Sequence, residues 1–419
     1  MDNSEIKAPA PALWTRDFTI LTAGSVVSML GSVLASFAMD LMVLDLTGST
    51  ALYALYGILY MLPNTLAPIL AGPFLDRFSR KKTIYTLDFL TAGLFLLLAV
   101  LLGAGGMRFP LLAAANLLLG AIGGIYYVAY DSFYPLLVAE GNFQKAYSVS
   151  STLETLTMVM VPLSTVVYRA AGIVPLLLAN AFTFLCAAIL ETRIRAEEAY
   201  IGGARTPDAP AGLRGFTADF REGLAYLRDE PGLLAIAVYF FFSSLCGGVT
   251  EVVTLPYFRR TFPAGEYVYM LTWGMAALAR FLGGIVHYRV RLPERRKYAI
   301  AMTVYIALAF LEGTYLFFPV PVMMVMTFLS GLLGVTSYTI RISATQNYVP
   351  DGKKGRFNGA FNTLCTAGVV LGQAAAGGFS LRFGERPLVT AANLLCLAAA
   401  VLFIGGRRRD ISRIYNTSA

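Results

Sequence analysis

Twelve stretches of mainly apolar residues are the feature that most limits the folds open to this 419-residue sequence. A helix needs about 20 such residues to cross a bilayer, and charge clusters or Gly/Pro turns separate the stretches. Hydrophobic residues make up 57% of the chain and charged residues 14%, too little polar surface for a soluble globule of this size. We therefore predict an all-α polytopic membrane protein with twelve transmembrane helices, at 17–45, 50–75, 82–104, 109–138, 144–169, 172–194, 231–258, 267–290, 297–318, 321–348, 355–382 and 386–405.

The stretches form two groups of six with similar features. Val138 to Gly141 precedes the fifth stretch, and the related Val349 to Gly352 precedes the eleventh, 211 residues later. Parallel repeats of this kind predict two pseudo-symmetric halves with substrate bound between them near the bilayer midplane. The predicted parts are an N-terminal six-helix bundle, a cytoplasmic linker with a surface amphipathic helix, a C-terminal six-helix bundle and a cytoplasmic tail, at 1–194, 195–230, 231–406 and 407–419.

The positions of lysine and arginine predict the orientation. Of 33 basic residues, 25 lie in the termini and the loops after even-numbered stretches, and six lie in the loops on the other side. Positive residues concentrate on the cytoplasmic side, so we expect both termini there, in a plasma (inner) membrane. The net charge of +8 comes from clusters beside spans rather than from one basic face, which argues against nucleic acid as a partner.

Other chemistries have little support in the sequence. The four cysteines are scattered singly through apolar stretches, and His287 is the only histidine, so we expect packing roles and no metal or other cofactor. No nucleophile–base arrangement of an enzyme appears, and no P-loop that would bind ATP. We expect a monomer whose partners are a small-molecule substrate, protons and the lipid bilayer.

The loop between the second and third stretches carries a motif. It reads Gly72-Pro-Phe-Leu-Asp76-Arg77-Phe-Ser79-Arg80-Lys81-Lys82 and resembles the signature loop of the major facilitator superfamily, with Ser79 where the family has a second glycine. Gly72 permits close helix approach, Asp76 suits a helix end and the basic run anchors the membrane surface. The resemblance implies a twelve-helix transporter built from two six-helix halves.

Further similarity points to one exporter branch, the macrolide-efflux and enterobactin-exporter types, and implies proton-driven efflux of amphipathic compounds. In helix 5, however, Met158 to Thr165 keeps only Pro162 of the family's antiporter motif. The residues that carry the similarity to this branch are Leu46 to Ser49, Pro63, Pro135, Lys145 to Ser148, Gly355 to Phe357, Gly372 and Gln373.

Ionisable residues inside predicted spans are costly, so they are candidates for function. The family resemblance implies that helices 1, 4, 7 and 10 line the cavity with 2, 5, 8 and 11 beside them. For a proton-coupling and substrate cavity it therefore selects Asp40, Glu154, Glu251, Arg280 and Arg341, while Asp88 and Glu312 on peripheral helices are interpreted as structural. The open alternative is that each cavity carboxylate is permanently paired with Arg280 or Arg341.

Two further groups belong to this prediction. Asp131 lies near the level of the signature loop, so a gating ion pair with Arg77 or Arg80 is one interpretation and a static pair the other. Tyr56 and Tyr130 lie on aromatic helix faces that suit an organic cation, although interfacial belts and helix packing explain such faces as well.

Three functions remain open at this point: proton-coupled efflux, a facilitator or flippase for a lipid, nutrient or metabolite without proton antiport, and a non-transporting membrane protein. A transport measurement under an imposed pH gradient separates the first two.

Overall fold

The computed structural model describes residues 13–75, 78–106, 108–138, 142, 146, 149, 160–161, 163–196, 198, 213–289 and 292–416, and in these residues all regular structure is helical. The helices are α1 (Arg16–Thr47), α2 (Thr50–Leu75), α3 (Arg80–Gly103), α4 (Phe109–Phe133), α5 (163–171), α6 (Ile173–Glu191), α7 (Leu213–Asp229), α8 (Pro231–Thr261), α9 (Gly265–Arg289), α10 (Lys297–Thr314), α11 (Val320–Tyr348), α12 (Asp351–Phe383), α13 (Glu385–Ala399) and α14 (Arg408–Tyr415).

Ten helices in the described part of the chain are long and apolar enough to cross a membrane. Most predicted spans match a helix to within a few residues. The span predicted at 144–169 lies largely outside the described residues. Two spans change helix type before their ends. The α-helix α4 stops at Phe133 and a 3₁₀ helix follows over Tyr134–Leu137, because Pro135 has no N–H to continue the α-helix, and α13 continues as a π-helix over Ala400–Gly405.

The chain divides into two compact units. The first unit contains residues 1–39 and 63–208, and the second contains 40–62 and 209–419. The end of α1 and the start of α2 join the second unit because small residues let α2 lie against α12. A Cβ at Gly377 would lie 2.8 Å from the Cβ of Ala54, and one at Gly57 would lie 3.6 Å from the Gln373 amide nitrogen.

In the first unit, α3 packs on α6 and α4. Small residues bring α1 against α6: a Cβ at Gly24 would lie 3.5 Å from the backbone of Ala187. Gly124 does the same for α4 and α2, since any side chain there would overlap the carbonyl oxygen of Asn64. Such close backbone approach is how helices associate where lipid removes the hydrophobic driving force.

In the second unit, α12 packs along α8, and α11 packs along α9. Glycines set the α8–α12 contact, because a Cβ at Gly248 would overlap Val369 and one at Gly372 would overlap the carbonyl oxygen of Leu245. A Cβ at Gly368, one turn before Gly372, would likewise lie 2.5 Å from the carbonyl oxygen of Phe241. This spacing of four residues keeps the small positions on one face of α12.

The linker helix and the C-terminal tail both belong to the second unit. Helix α7 lies on the start of α12, where Arg356 pairs with Glu222 at 2.5 Å and Lys353 lies 4.6 Å from the ring centre of Tyr226. The C-terminal tail forms α14, and Tyr415 shares a hydroxyl hydrogen bond of 2.8 Å with Tyr305. Burial raises the pKa of Tyr415, so its hydroxyl stays neutral.

Candidate substrate and coupling sites

Two of the predicted coupling carboxylates, Asp40 and Glu251, come together in the second unit. They interact electrostatically across the end of α1 and the middle of α8. Glu251 is exposed, and its Oε2 accepts a hydrogen bond of 3.2 Å from Gln373 Nε2. No described residue donates a hydrogen bond to Asp40 or forms an ion pair with it. We call Asp40, Glu251, Gln373 and the surrounding tyrosines Tyr53, Tyr56 and Tyr269 the carboxylate cluster.

Three tyrosines, Tyr53, Tyr56 and Tyr269, interact electrostatically with Asp40. Tyr56 is 3% exposed and Tyr269 is 9% exposed, and both interact electrostatically with Asp40. Among the described residues no lysine or arginine pairs with Asp40 or Glu251. Because two like charges close together in a low-dielectric site repel, this arrangement favours binding of a proton or another cation.

Arg341 lies apart from the carboxylates, among aromatic rings. Its guanidinium carbon is 5.3 Å from the ring centres of Phe240 and Tyr338 and 4.8 Å from that of Phe361. No ion pair or side-chain hydrogen bond joins it to a described residue, and its buried Nε has no partner. Among the described residues, the structure therefore brings Arg341 to no carboxylate, and permanent pairing of Arg341 with Glu154, which lies outside them, stays a prediction.

Arg280 interacts electrostatically with Glu312, whose Oε1 accepts a hydrogen bond of 2.6 Å from Ser330. Glu312 lines a cavity of about 200 Å³ in the second unit. The interpretation of Glu312 as a structural residue stays a prediction. Residues that line this cavity include Tyr239, Phe240, Ser337, Tyr338, Asn393 and Cys396.

Cys246 and Cys396 also line this cavity, and they interact with each other. Cys246 Sγ additionally donates to the carbonyl oxygen of Ala392 at 2.9 Å. The sequence analysis placed all four cysteines as single packing residues. Linear spacing carried no signal for this pair, because the two thiols are brought together only by the packing of α13 on α8.

In the first unit, Tyr130 belongs to a stack on α4. Its ring centre lies 6.0 Å from that of Tyr126 and 5.4 Å from that of Tyr134, and Tyr134 is 3% exposed and bonded to Ala146 O. Tyr126 and Tyr130 pack against the core around Phe18. In this structure Tyr130 therefore contributes to helix packing, and its role in binding substrate stays a prediction.

The signature loop is partly described. Asp76, Arg77 and Glu154 lie outside the described residues, and Gly72 is a helical residue of α2. Arg80 Nη1 donates to Ser132 O at 3.0 Å, next to Asp131, but Arg80 and Asp131 form no ion pair. A latch between them in another conformation stays a prediction.

Sequence reasoning missed how Glu198 holds the start of α3. Its Oε1 accepts from the backbone nitrogens of Arg80 at 2.7 Å and Lys81 at 3.3 Å, and its Oε2 accepts from the hydroxyl of Ser79. Ser79 also accepts from Lys82 N at 3.1 Å as the N-cap of α3. An anion at a helix N-terminus is favourable, so the serine that departs from the family pattern has a structural use.

A second missed group is a buried acidic pair in the first unit. Asp88 on α3 is 1% exposed and Glu191 on α6 is 0% exposed, and their carboxyl groups are within hydrogen-bonding reach of each other. No other described residue donates to their four oxygens, and Tyr126 interacts electrostatically with both carboxyl groups. A hydrogen bond between two carboxyl groups needs one shared proton.

Comparisons with known proteins agree with this architecture. The family model of the Major Facilitator Superfamily matches residues 21–373. The uncharacterized MFS-type transporter YkuC of Bacillus subtilis (strain 168) is 22% identical over 304 residues, which cover 70% of this chain and 69% of that protein. Macrolide efflux protein A of Streptococcus pyogenes is 23% identical over 255 residues, which cover 59% of this chain and 61% of that protein.

A solved structure has the same fold. The crystal structure of a bacterial homologue of the iron transporter ferroportin, in an inward-facing state, matches with a TM-score of 0.67 at 17% identity. The match covers 93% of this chain and 98% of the other. At this identity the likeness establishes the fold and carries no information about the solute.

Proposed function

The chain belongs to the Major Facilitator Superfamily, and from this premise we propose that it exports amphipathic organic compounds, drug-like or siderophore-like, in exchange for protons. It is a multi-pass membrane transporter, and the proposed mechanism is alternating access of a central site between two six-helix halves. The proposed location is the plasma (inner) membrane, with both termini cytoplasmic. Similarity to macrolide efflux protein A supports export as the direction.

The carboxylate cluster is the observation that carries the proton-coupling part. Asp40 and Glu251 interact with each other, and no basic residue of the described chain neutralises them. A proton-coupled transporter needs a carboxylate that takes up a proton in one state and releases it in another. Asp40 and Glu251 meet this requirement better than Arg-paired acids would, because a fixed positive partner would hold the carboxylate ionised in both states.

The alternative is a facilitator or flippase without proton antiport. The loss of the antiporter motif in helix 5 favours this alternative, because Met158 to Thr165 retains only Pro162 of that motif. The two functions differ in one measurable property, since a facilitator equilibrates its solute and a proton antiporter concentrates it against a gradient.

The test uses the full-length protein in proteoliposomes with an imposed pH gradient and a fluorescent lipophilic dye or a macrolide as the solute. We expect the gradient to drive accumulation, and the double variant Asp40→Asn/Glu251→Gln to lower it by about tenfold or more, since each 1.4 kcal/mol of lost coupling free energy is about tenfold. Asp229→Asn, which removes an exposed acid of the same unit outside the cluster, is the matched control and should keep gradient-driven accumulation.

Solute exchange without a pH gradient distinguishes uncoupling from loss of folding. The double variant should still exchange labelled for unlabelled solute at a rate near that of the wild type. Accumulation that ignores the pH gradient in the wild type would contradict proton coupling and favour the facilitator.

A further inference from the structure

Arg341 is a charged residue within a membrane-spanning helix, and no opposite charge pairs with it in the part of the chain that the structure describes. It lies on α11 (Val320–Tyr348), seven residues before the helix end, about 10 Å inside at a rise of about 1.5 Å per residue. Charged side chains at such positions normally pair with an opposite charge or face a water-filled cavity that carries substrate.

The groups around Arg341 are neutral. Three aromatic rings from three helices surround the guanidinium: Phe240 of α8, Tyr338 of α11 and Phe361 of α12. Tyr305, Tyr415 and Cys365 also interact electrostatically with its charge. No carboxylate of the described residues forms an ion pair with it. Within the described residues, ring faces are therefore the groups that stabilise the positive charge, which remains available to an anion.

The chemistry of the guanidinium selects the kind of anion. Its planar fork donates two parallel hydrogen bonds to a carboxylate or another oxyanion, a geometry that a lysine lacks. The buried Nε lacks any acceptor among the described residues, although a buried donor normally has one. An oxyanion in the plane of the guanidinium would meet this need without displacing the rings that cover its faces.

The rings continue into the cavity described above. Phe240 and Tyr338 both contact the guanidinium and line that cavity of about 200 Å³, and Tyr338 is 55% exposed. Sites that enclose a whole drug-sized molecule measure about 300–1,000 Å³, so this space suits one ring or a short chain of a ligand. Glu312, the acid in the cavity wall, is bonded to Ser330 and interacts with Arg280, which accounts for its charge.

We propose that Arg341, Phe240, Tyr338 and Phe361 form a binding site for an organic oxyanion, a carboxylate or phosphate attached to an apolar or aromatic body. The inference rests on the proposed function and deepens it, because it names the anionic group as the part of the exported compound that the second unit recognises. It also reverses the expectation from aromatic faces alone, which suited an organic cation.

The experiment measures binding of three isosteric probes to the purified full-length protein in a neutral maltoside detergent by equilibrium dialysis. The probes are 1-naphthoate, the neutral 1-naphthalenemethanol and the cationic 1-naphthylmethylammonium. We expect the wild type to prefer the carboxylate, and Arg341→Gln to weaken that probe by about 10–100-fold while changing the neutral probe little, as for loss of a charge-assisted hydrogen bond. Arg341→Lys, which keeps the positive charge and loses the planar fork of donors, should bind naphthoate with an affinity between those of the wild type and Arg341→Gln.

Arg382→Gln is the matched control, because it removes another arginine from a spanning helix of the same unit, at an exposed position beside Phe383, and should leave naphthoate binding unchanged. Gel filtration and thermal unfolding of each variant identify any loss of folding. If Arg341→Gln misfolds, the proposal is tested by the naphthoate affinity of Arg341→Lys and by the preference of the wild type among the three probes. A wild type that binds the neutral or cationic probe as well as naphthoate overturns the proposal, and so does an Arg341→Gln variant with unchanged preference.

The same assay identifies the source of the anion, and it separates failure of the anion site from failure of the proposed function. Competition by phosphatidylglycerol added to the micelles identifies a lipid as the occupant, whereas the absence of competition identifies a soluble organic anion, and both agree with the site. Binding is measured without a pH gradient, so it can fail while proton-driven transport through Asp40 and Glu251 persists. In that case the anion site is wrong and the proposed function stands.

Discussion

Gln373 Nε2 donates a hydrogen bond of 3.2 Å to Oε2 of Glu251, which joins α12 to α8 across 122 residues of sequence. Gln373 is 3% exposed, whereas Glu251 is exposed. The amide therefore holds one oxygen of an accessible carboxylate at a fixed place. This relationship connects the glycine-mediated packing of the two helices to the candidate coupling site.

Gln373→Leu should impair coupling more than stability. Glu251 is exposed, so water replaces the lost donor, and the free energy of unfolding should change by no more than about 1 kcal/mol. Gradient-driven accumulation in proteoliposomes should fall several-fold because the carboxylate loses its orientation. Gln346→Leu, which breaks a bond to Asn358 in the same unit, is the control. Equal losses of transport in both variants would remove any special role for Gln373.

Gly372→Ala should destabilise the second unit. Its methyl would overlap the carbonyl oxygen of Leu245, and forcing α8 and α12 apart costs about 1–3 kcal/mol. At Gly378, on the same helix, a Cβ would meet nothing within 4 Å, so Gly378→Ala should be neutral or slightly stabilising. Thermal unfolding in detergent measures both variants. If Gly372→Ala unfolds at the same temperature as the wild type, the close packing of α8 and α12 is not a source of stability.

Arg259 and Asp45 should show a measurable but modest coupling. The two side chains form an ion pair with 20% and 32% exposure, and Arg259 also approaches Glu266 at 3.9 Å. Partial exposure limits the coupling free energy to about 1 kcal/mol or less at physiological salt. A double-mutant cycle of Asp45→Asn and Arg259→Gln, read by thermal unfolding at low and high salt, measures it. Coupling that does not weaken with salt would contradict a screened ion pair.

Asp88→Asn should be tolerated and should stabilise the first unit by about 1 kcal/mol. Its amide donates to Glu191 without the shared proton that two carboxyl groups require. Asp88→Ala should destabilise, because Glu191 then stays buried with no donor. The exposed Asp131→Asn is the control for loss of one acidic charge. If Asp88→Asn proves less stable than Asp88→Ala in unfolding measurements, the pairing of Asp88 with Glu191 is excluded.

The two termini should be labelled from the same side of the membrane. Single cysteines introduced by Ser4→Cys and Ser418→Cys into a cysteine-free background would be treated with an impermeant maleimide in intact cells and in inverted vesicles. The excess of basic residues predicts reaction only in inverted vesicles for both. Opposite accessibility of the two sites would mean an odd number of spans.

Much of the architecture was predictable because crossing a bilayer is a local requirement. Each span must satisfy its own backbone hydrogen bonds and present apolar side chains to lipid, so hydropathy alone places α1, α3 or α11 to within a few residues. The signature loop around Asp76 and Arg80 then indicated the superfamily, which the family match over 21–373 confirms. Local rules also explain the early end of α4 at Pro135.

By itself, then, the sequence determined the helical membrane fold, its spans and its superfamily, whereas only the tertiary structure decided which side chains meet. Glu251 with Gln373, Arg259 with Asp45 and Cys246 with Cys396 are each separated by more than 100 residues, and their meeting depends on the rotation of each helix about its axis. Arg341 is the clearest case. The position of Arg341 within a predicted span suggested that it pairs with a carboxylate. Packing instead places aromatic rings around it, because faces of α8, α11 and α12 converge at the guanidinium. Rotation is set by close packing of small residues such as Gly372, which hydropathy does not register.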